Sequence, residues 1–143
     1  MTAETIHIEF QVEGGNFSRA GYPSSEVKKR LKQLNVDGSV IKRTVVALYE
    51  AEVNIVAHAY RGLISVDIDE HKILIRLTDE GPGIPDIKKA MEIGYSTATP
   101  EVREMGFGAG MGLSNMNSNA DRLEITSKVG QGTTVEIVNF FHK

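Results

Sequence analysis

Apolar and polar residues alternate near the start of the chain, with Ile6, Ile8 and Phe10 set against His7, Glu9 and Gln11. That period of two predicts a strand over residues 6–12, ended by Gly14 and Gly15. The period then lengthens. Pro23-Ser24-Ser25 opens a segment in which Val27, Leu31 and Leu34 recur at three- and four-residue spacings, the signature of a helix. Asp37 is placed to N-cap a second helix running to about Tyr60, with Val40, Ile41, Val45, Leu48, Ile55 and Val56 apolar and Gly62 as its stop. Alternation returns at Ile64, Val66 and Ile68, and again at Ile73, Ile75 and Leu77, so residues 63–68 and 72–78 read as two strands of a hairpin. Residues 85–93 read as a short helix with Pro85 in its first turn. A helix over 113–120 then leads to strands over 123–129 and 134–140, joined by Gly130-Gln131-Gly132.

These elements predict an α/β fold: a two-layer sandwich in which helices cover one face of a mixed, mostly antiparallel sheet. No internal repeat, low-complexity tract or linker interrupts it, so residues 1–143 are expected to form a single domain. Residues 94–112, rich in Gly, Thr and Ser, are long for a structureless connection and are expected to act as a lid.

Composition narrows the function. With 41% hydrophobic and 24% charged residues, the chain is globular and long enough to bury a core. A net charge of −3 with scattered Lys and Arg excludes the basic stripe of a nucleic-acid binder. A polyanion site would have to be built locally, from backbone amides or a metal ion. The absence of cysteine excludes disulfides and thiolate metal sites and is compatible with a reducing compartment. No run approaches the roughly 20 apolar residues of a membrane helix. The opening residues, among them Thr2, Glu4 and His7, lack the apolar core of a signal peptide, so a cytoplasmic location is expected.

Four constellations carry candidate chemistry. Glu50, Asn54 and His58 fall within a helical stripe roughly 80° wide. Glu can serve as a general base and Asn offers a neutral oxygen to a hard cation. A solvated helix face is the plain alternative, and His58 alone reads as structural. Asp79-Glu80-Gly81-Pro82-Gly83-Ile84-Pro85 puts a carboxylate at the end of an apolar strand, before two glycines that let a ligand approach the backbone. A carboxylate there can accept a hydrogen bond from an exocyclic amine; an ordinary strand-to-helix turn would look similar. Gly106-Phe107-Gly108-Ala109-Gly110-Met111-Gly112-Leu113 leads into a helix and offers unhindered amides to an anion. It has neither the Gly-Lys-Ser/Thr of a P-loop nor a strand directly before it, and a Gly-rich linker is its bland reading. Gly130-Gln131-Gly132-Thr133-Thr134 is by itself a hairpin turn.

Their order is more specific than any one of them. Together they resemble the Bergerat-type ATP-binding fold, the GHKL group of gyrase, heat-shock protein 90, histidine kinases and MutL. Glu50-x-x-x-Asn54 is similar to the N box of that family. Asp79-x-Gly81-x-Gly83-Ile84 is similar to its first glycine box, Gly108-x-Gly110-x-Gly112-Leu113 to its second, and Gly132-Thr133 to its closing pair. The resemblance spans about residues 40–140. Within the family, residues 50–60 resemble the small bacterial anti-sigma-factor serine kinases (RsbW type). Residues 81–92 and Gly94-Tyr95-Ser96-Thr97 resemble the stress-signalling switch kinase (RsbT type). Glu52 departs from the pattern, standing where relatives carry an apolar residue. It lies about 200° round the helix from Glu50, away from the nucleotide face, and raises the question of an interface.

The resemblance implies ATP and Mg2+ as cofactors and assigns roles. Asp79 would accept from the adenine amino group, supported by Thr133. Asn54 would ligate magnesium, and Glu50 would act as the catalytic base on an attacking hydroxyl. Gly81, Gly83 and Ile84 would line the nucleotide, and Gly108, Gly110, Met111, Gly112 and Leu113 would wrap its phosphates. Arg103, in the expected lid, is within reach of the γ-phosphate, with a solvated loop charge as the favoured reading. The function implied is a serine/threonine protein kinase that phosphorylates a small protein of the anti-sigma-antagonist type and regulates transcription or stress signalling. A sigma factor or other regulator is a further partner, and a homodimer is compatible. The main alternative is a nucleotide-gated module that sequesters a sigma factor without phosphorylating it. A histidine-kinase catalytic domain or a gyrase-like mechanical ATPase fits less well, because the 143 residues hold no segment resembling a phosphoacceptor helix or a transducer domain.

Overall fold

A computed structural model of the chain describes residues 5–15, 20–81 and 112–141. The expected helix at 85–93 and most of the expected lid at 94–112 lie outside them. The described elements are β1 (Ile6–Glu13), α1 (Tyr22–Gln33), α2 (Gly38–His58), β2 (Arg61–Ile68), β3 (Lys72–Glu80), α3 (Gly112–Ser118), β4 (Arg122–Lys128) and β5 (Gly132–Phe140). The five strands form one sheet in the order β1-β2-β3-β5-β4. Every pairing is antiparallel, so among the described residues the sheet has no parallel member.

Alternation sorts the strands into two faces. Ile64, Val66 and Ile68 of β2, Ile73, Ile75 and Leu77 of β3, and Val135 and Ile137 of β5 are buried. They pack with Val27 and Leu31 of α1, Leu48 and Ile55 of α2, and Met116 of α3 in one core. Each such side chain, removed from water, contributes about 1.5–3 kcal/mol. The other face carries the intervening residues, among them Arg61, Arg76 and Glu136. Helices on one face and polar residues on the other give the expected two-layer α/β sandwich.

Asp37 occupies the N-cap of α2 as expected, and its carboxylate accepts from the Ser39 hydroxyl rather than from a backbone amide. Two local expectations are corrected. Leu34 is not part of a buried helix face. It follows α1 and is 44% exposed, because Val27 and Leu31 already fill the contact with the core. Gly62 does not stop α2, which ends at His58 with an extended Ala59. It lies inside β2, where a Cβ would stand 3.0 Å from both Cδ1 and Cγ2 of Ile55. Its lack of a side chain lets α2 settle closely on the sheet.

A buried polar knot fixes α3 relative to the sheet. Asn139 sits on the inner face of β5 with no exposed surface. Its Nδ2 donates to Thr44 Oγ1 and to the Asn119 carbonyl, each at 3.0 Å, and its Oδ1 accepts from the Asp121 amide at 2.8 Å. The strand, α2 and the turn after α3 are thereby tied together, which sets where the residues of α3 face α2.

Candidate active site

The β3 strand delivers Asp79 to the end of the sheet beside the β4–β5 turn. Its Oδ1 accepts from the Thr133 backbone amide at 3.0 Å. Burial pushes the Asp79 carboxyl above its ordinary value, and the Thr133 amide opposes that shift. One oxygen is thus held in place while the carboxylate keeps acceptor capacity for a ligand donor. Thr133 is itself buried, and its Oγ1 lies 2.9 Å from Ser127 Oγ of β4. Gly132 makes the approach possible. Its φ of +143° is rarely adopted by residues with a side chain. A Cβ there would overlap the Asp79 carbonyl oxygen and stand 3.1 Å from Asp79 Oδ1.

Glu50 and Asn54 sit one turn apart on α2, both partly buried. Glu50 Oε1 accepts from Asn115 Nδ2 of α3 at 3.3 Å, so a residue beyond the second glycine box orients the carboxylate. Asn54 presents a neutral side-chain oxygen, the kind of donor a hard cation takes, from a partly buried position on α2. Among the described residues no group of three His, Cys, Asp or Glu forms a metal cage. A single neutral oxygen of this kind suits magnesium, which takes few protein ligands beside phosphate oxygens and water. Gly81 is buried next to the end of α2, where a Cβ would approach Ala59 Cα to 3.0 Å. Gly112 opens α3, and Leu113 follows in its backbone. Gly83, Ile84, Arg103, Gly108, Gly110, Met111 and the His58 side chain lie outside the described residues.

The structure therefore brings Asp79 to Thr133 and adds two contributors that spacing did not single out, Asn115 on Glu50 and Ser127 on Thr133. At Gly132, already marked as half of the closing pair, it supplies the steric reason for a glycine. Asn115 sits three residues past the last glycine of its run, the one signal that could have marked it. Glu52, the departure from the pattern, is 1% exposed and turns away from this site; its Oε2 accepts from the Gly21 amide at the start of α1 at 2.7 Å.

A helix-backed antiparallel sheet with a carboxylate at the strand end and a Glu-Asn pair on the covering helix is the framework of an ATP-binding domain. Residues 39–142 match the family of histidine kinase-, DNA gyrase B- and HSP90-like ATPases, and the chain belongs to that family. It is 38% identical over 99 residues to an anti-sigma F factor of Caldanaerobacter subterraneus subsp. tengcongensis, a match that takes in 66% of this chain and 66% of that relative's length. An anti-sigma F factor of Anoxybacillus flavithermus is 31% identical over 144 residues, covering 96% of this chain and 93% of the relative. The serine/threonine-protein kinase RsbT of Bacillus subtilis is 32% identical over 102 residues, covering 68% of this chain and 71% of the kinase. In three dimensions the chain is similar to a crystal structure of the RsbU and RsbW domains of a Mycobacterium tuberculosis protein. That likeness has a TM-score of 0.61 at 15% identity, covers 95% of this chain and 32% of the other, and concerns the fold. Among the described residues, no helix is long and apolar enough to cross a membrane.

Proposed function

We propose that residues 1–143 form a single domain that binds magnesium–ATP and transfers its γ-phosphoryl group to a serine or threonine of a small partner protein of the anti-sigma-antagonist type. The observation that carries this reading is the oriented Glu50 carboxylate, held by Asn115 one helical turn from Asn54. Asp79, steadied by the Thr133 amide, accepts from the adenine amino group. Asn54 contributes an oxygen to magnesium, which neutralises phosphate charge when bound. Glu50 takes the proton of the partner's hydroxyl as that oxygen bonds to the γ-phosphorus. The bond to the bridging oxygen breaks, and ADP leaves with its electron pair. Gly81, Gly83 and Ile84 line the nucleotide, and Gly108, Gly110, Met111, Gly112 and Leu113 cover the phosphates. The setting is cytoplasmic control of transcription or stress signalling.

A second reading rests on the relatives named anti-sigma F factors. In it the chain binds a sigma factor under nucleotide control and transfers no phosphate. Single-turnover transfer from labelled ATP to a purified antagonist-type protein separates the two, with nucleotide affinity measured in parallel. Glu50→Gln should keep its affinity for ATP and slow transfer at least about 10²-fold, the low end of what a general base contributes. Transfer by Glu50→Gln at the wild-type rate removes Glu50 from the role of base. Nucleotide-dependent partner affinity with no transfer by the wild type makes the chain a gated binder.

A further inference from the structure

The hydrogen bond on Glu50 is the last of three that begin in the core. Asn139 is fully buried on β5, and its Nδ2 donates to the Asn119 carbonyl at 3.0 Å. The Asn119 side chain in turn donates from Nδ2 to the Asn115 carbonyl at 2.8 Å. Asn115 Nδ2 then donates to Glu50 Oε1 at 3.3 Å. Three asparagines thus connect the sheet, through α3, to the carboxylate on α2.

The middle link carries the new information. α3 has seven residues, too few to hold a helix by backbone bonding alone. Its last carbonyls have no partner further along the helix. Asn119 satisfies two of them: its backbone amide donates to the Met116 carbonyl at 3.2 Å, and its side chain donates to that of Asn115. Met116, with no exposed surface, pins the same turn into the core. A side chain closing a helix end in this way is by itself a cap. Here the carbonyl it closes belongs to the residue whose side chain reaches Glu50, so the cap also fixes the height and rotation of that donor.

We propose that Asn115 and Asn119 are positioning residues for phosphoryl transfer, Asn115 holding one Glu50 oxygen and Asn119 holding the backbone of Asn115. The inference rests on Glu50 being the base of the proposed reaction. A carboxylate tied at one oxygen to a neutral amide directs the other oxygen and keeps its full negative charge. A cation in place of Asn115 would hold Glu50 more strongly but would offset the charge that attracts the proton. Misplacing a reacting group by about 1 Å costs on the order of 10²-fold in rate, so the short helix that carries the donor has to be locked. The bond between Asn119 and Asn139 uses the Asn119 main-chain carbonyl. Asn119→Ala therefore removes the link to Asn115 and leaves the link to β5 in place.

The test is single-turnover transfer from labelled ATP to the purified antagonist-type protein, at saturating magnesium–ATP. Asn119→Ala and the isosteric Asn115→Asp are each made in the wild type and in Glu50→Gln. In the wild-type background Asn119→Ala should slow transfer about 5-fold or more and Asn115→Asp about 10-fold or more. ATP affinity should stay within about 2-fold, and circular dichroism should be unchanged. In the Glu50→Gln background either change should add less than about 2-fold, because the group being positioned is gone. A merely structural role would carry the same loss into both backgrounds or show it in ATP affinity. Either result overturns the inference, as does transfer at the wild-type rate by both variants. If Asn119→Ala does not fold, the same comparison on Asn115→Asp decides. A wild type that transfers nothing removes the proposed function and this inference together. Transfer that is slowed by Glu50→Gln and indifferent to both asparagines removes this inference alone.

Discussion

Burial of Glu52 makes a quantitative demand on stability. The carboxyl is 1% exposed and its pKa rises from the ordinary 4.5 to about 6, with desolvation the larger cause and the Gly21 and Ser24 amides opposing it. The titratable neighbour that feels its charge is Tyr49 on α2, whose hydroxyl is raised chiefly by burial and further by Glu52. Between pH 4.5 and 6 the folded chain holds a proton that the unfolded chain has released. Stability therefore falls as pH rises through that window. The contribution is complete below the unfolded value and gone above the folded one. The separation corresponds to about 2 kcal/mol. Glu52→Gln keeps the shape and an acceptor for Gly21 but cannot titrate. Subtracting its urea-unfolding free energy from that of the wild type isolates the residue from every other ionisable group. The wild type should lose about 2 kcal/mol relative to the variant between pH 4 and pH 7.5. For a domain of this size that is roughly 8 °C in relative Tm. A difference that stays constant across this range, or that changes with the opposite sign, refutes the account of Glu52 as a carboxylate held at a desolvation cost.

Three further outcomes are predicted. Asp79→Asn should weaken ATP binding about 10-fold or more in calorimetry while leaving the fold intact, and unchanged affinity would remove Asp79 from adenine recognition. Because burial raises the Asp79 carboxyl, wild-type affinity should begin to fall on acidification above the usual aspartate range, through loss of the ionised acceptor. Gly132→Ala should destabilise the chain by about 2–4 kcal/mol, since its Cβ overlaps the Asp79 carbonyl oxygen at a positive φ, and should lower ATP affinity too; wild-type behaviour in both assays would contradict the close approach. Asn139→Leu should cost about 3 kcal/mol in chemical denaturation by removing the donor to the buried Thr44 hydroxyl and the Asn119 carbonyl and one acceptor of the Asp121 amide, and a loss under 1 kcal/mol would argue against the buried knot.

Periodicity in the sequence was enough to locate the five strands and the described helices, because a period of two or of 3.6 reflects which face of a local element meets the core. The same local logic put Glu50 and Asn54 on one side of α2 and marked Asp79 as a carboxylate at a strand end. What failed were readings in which a local signal met a tertiary demand. Gly62 carries a helix-stop composition, yet it is a strand residue because Ile55 presses on it. Glu52 has no local pattern that declares it buried; only the approach of α1 supplies the Gly21 amide, and Oε1 is left buried without a donor. The pairing of Thr133 with Asp79 joins residues 54 positions apart, and Asn115 with Glu50 joins residues 65 apart. A single chain encodes such meetings through the summed burial of many apolar side chains, not through the spacing of the two partners. The types of residue available for chemistry were therefore written in the sequence, and the partner that orients each of them was decided by the packed sheet and helices.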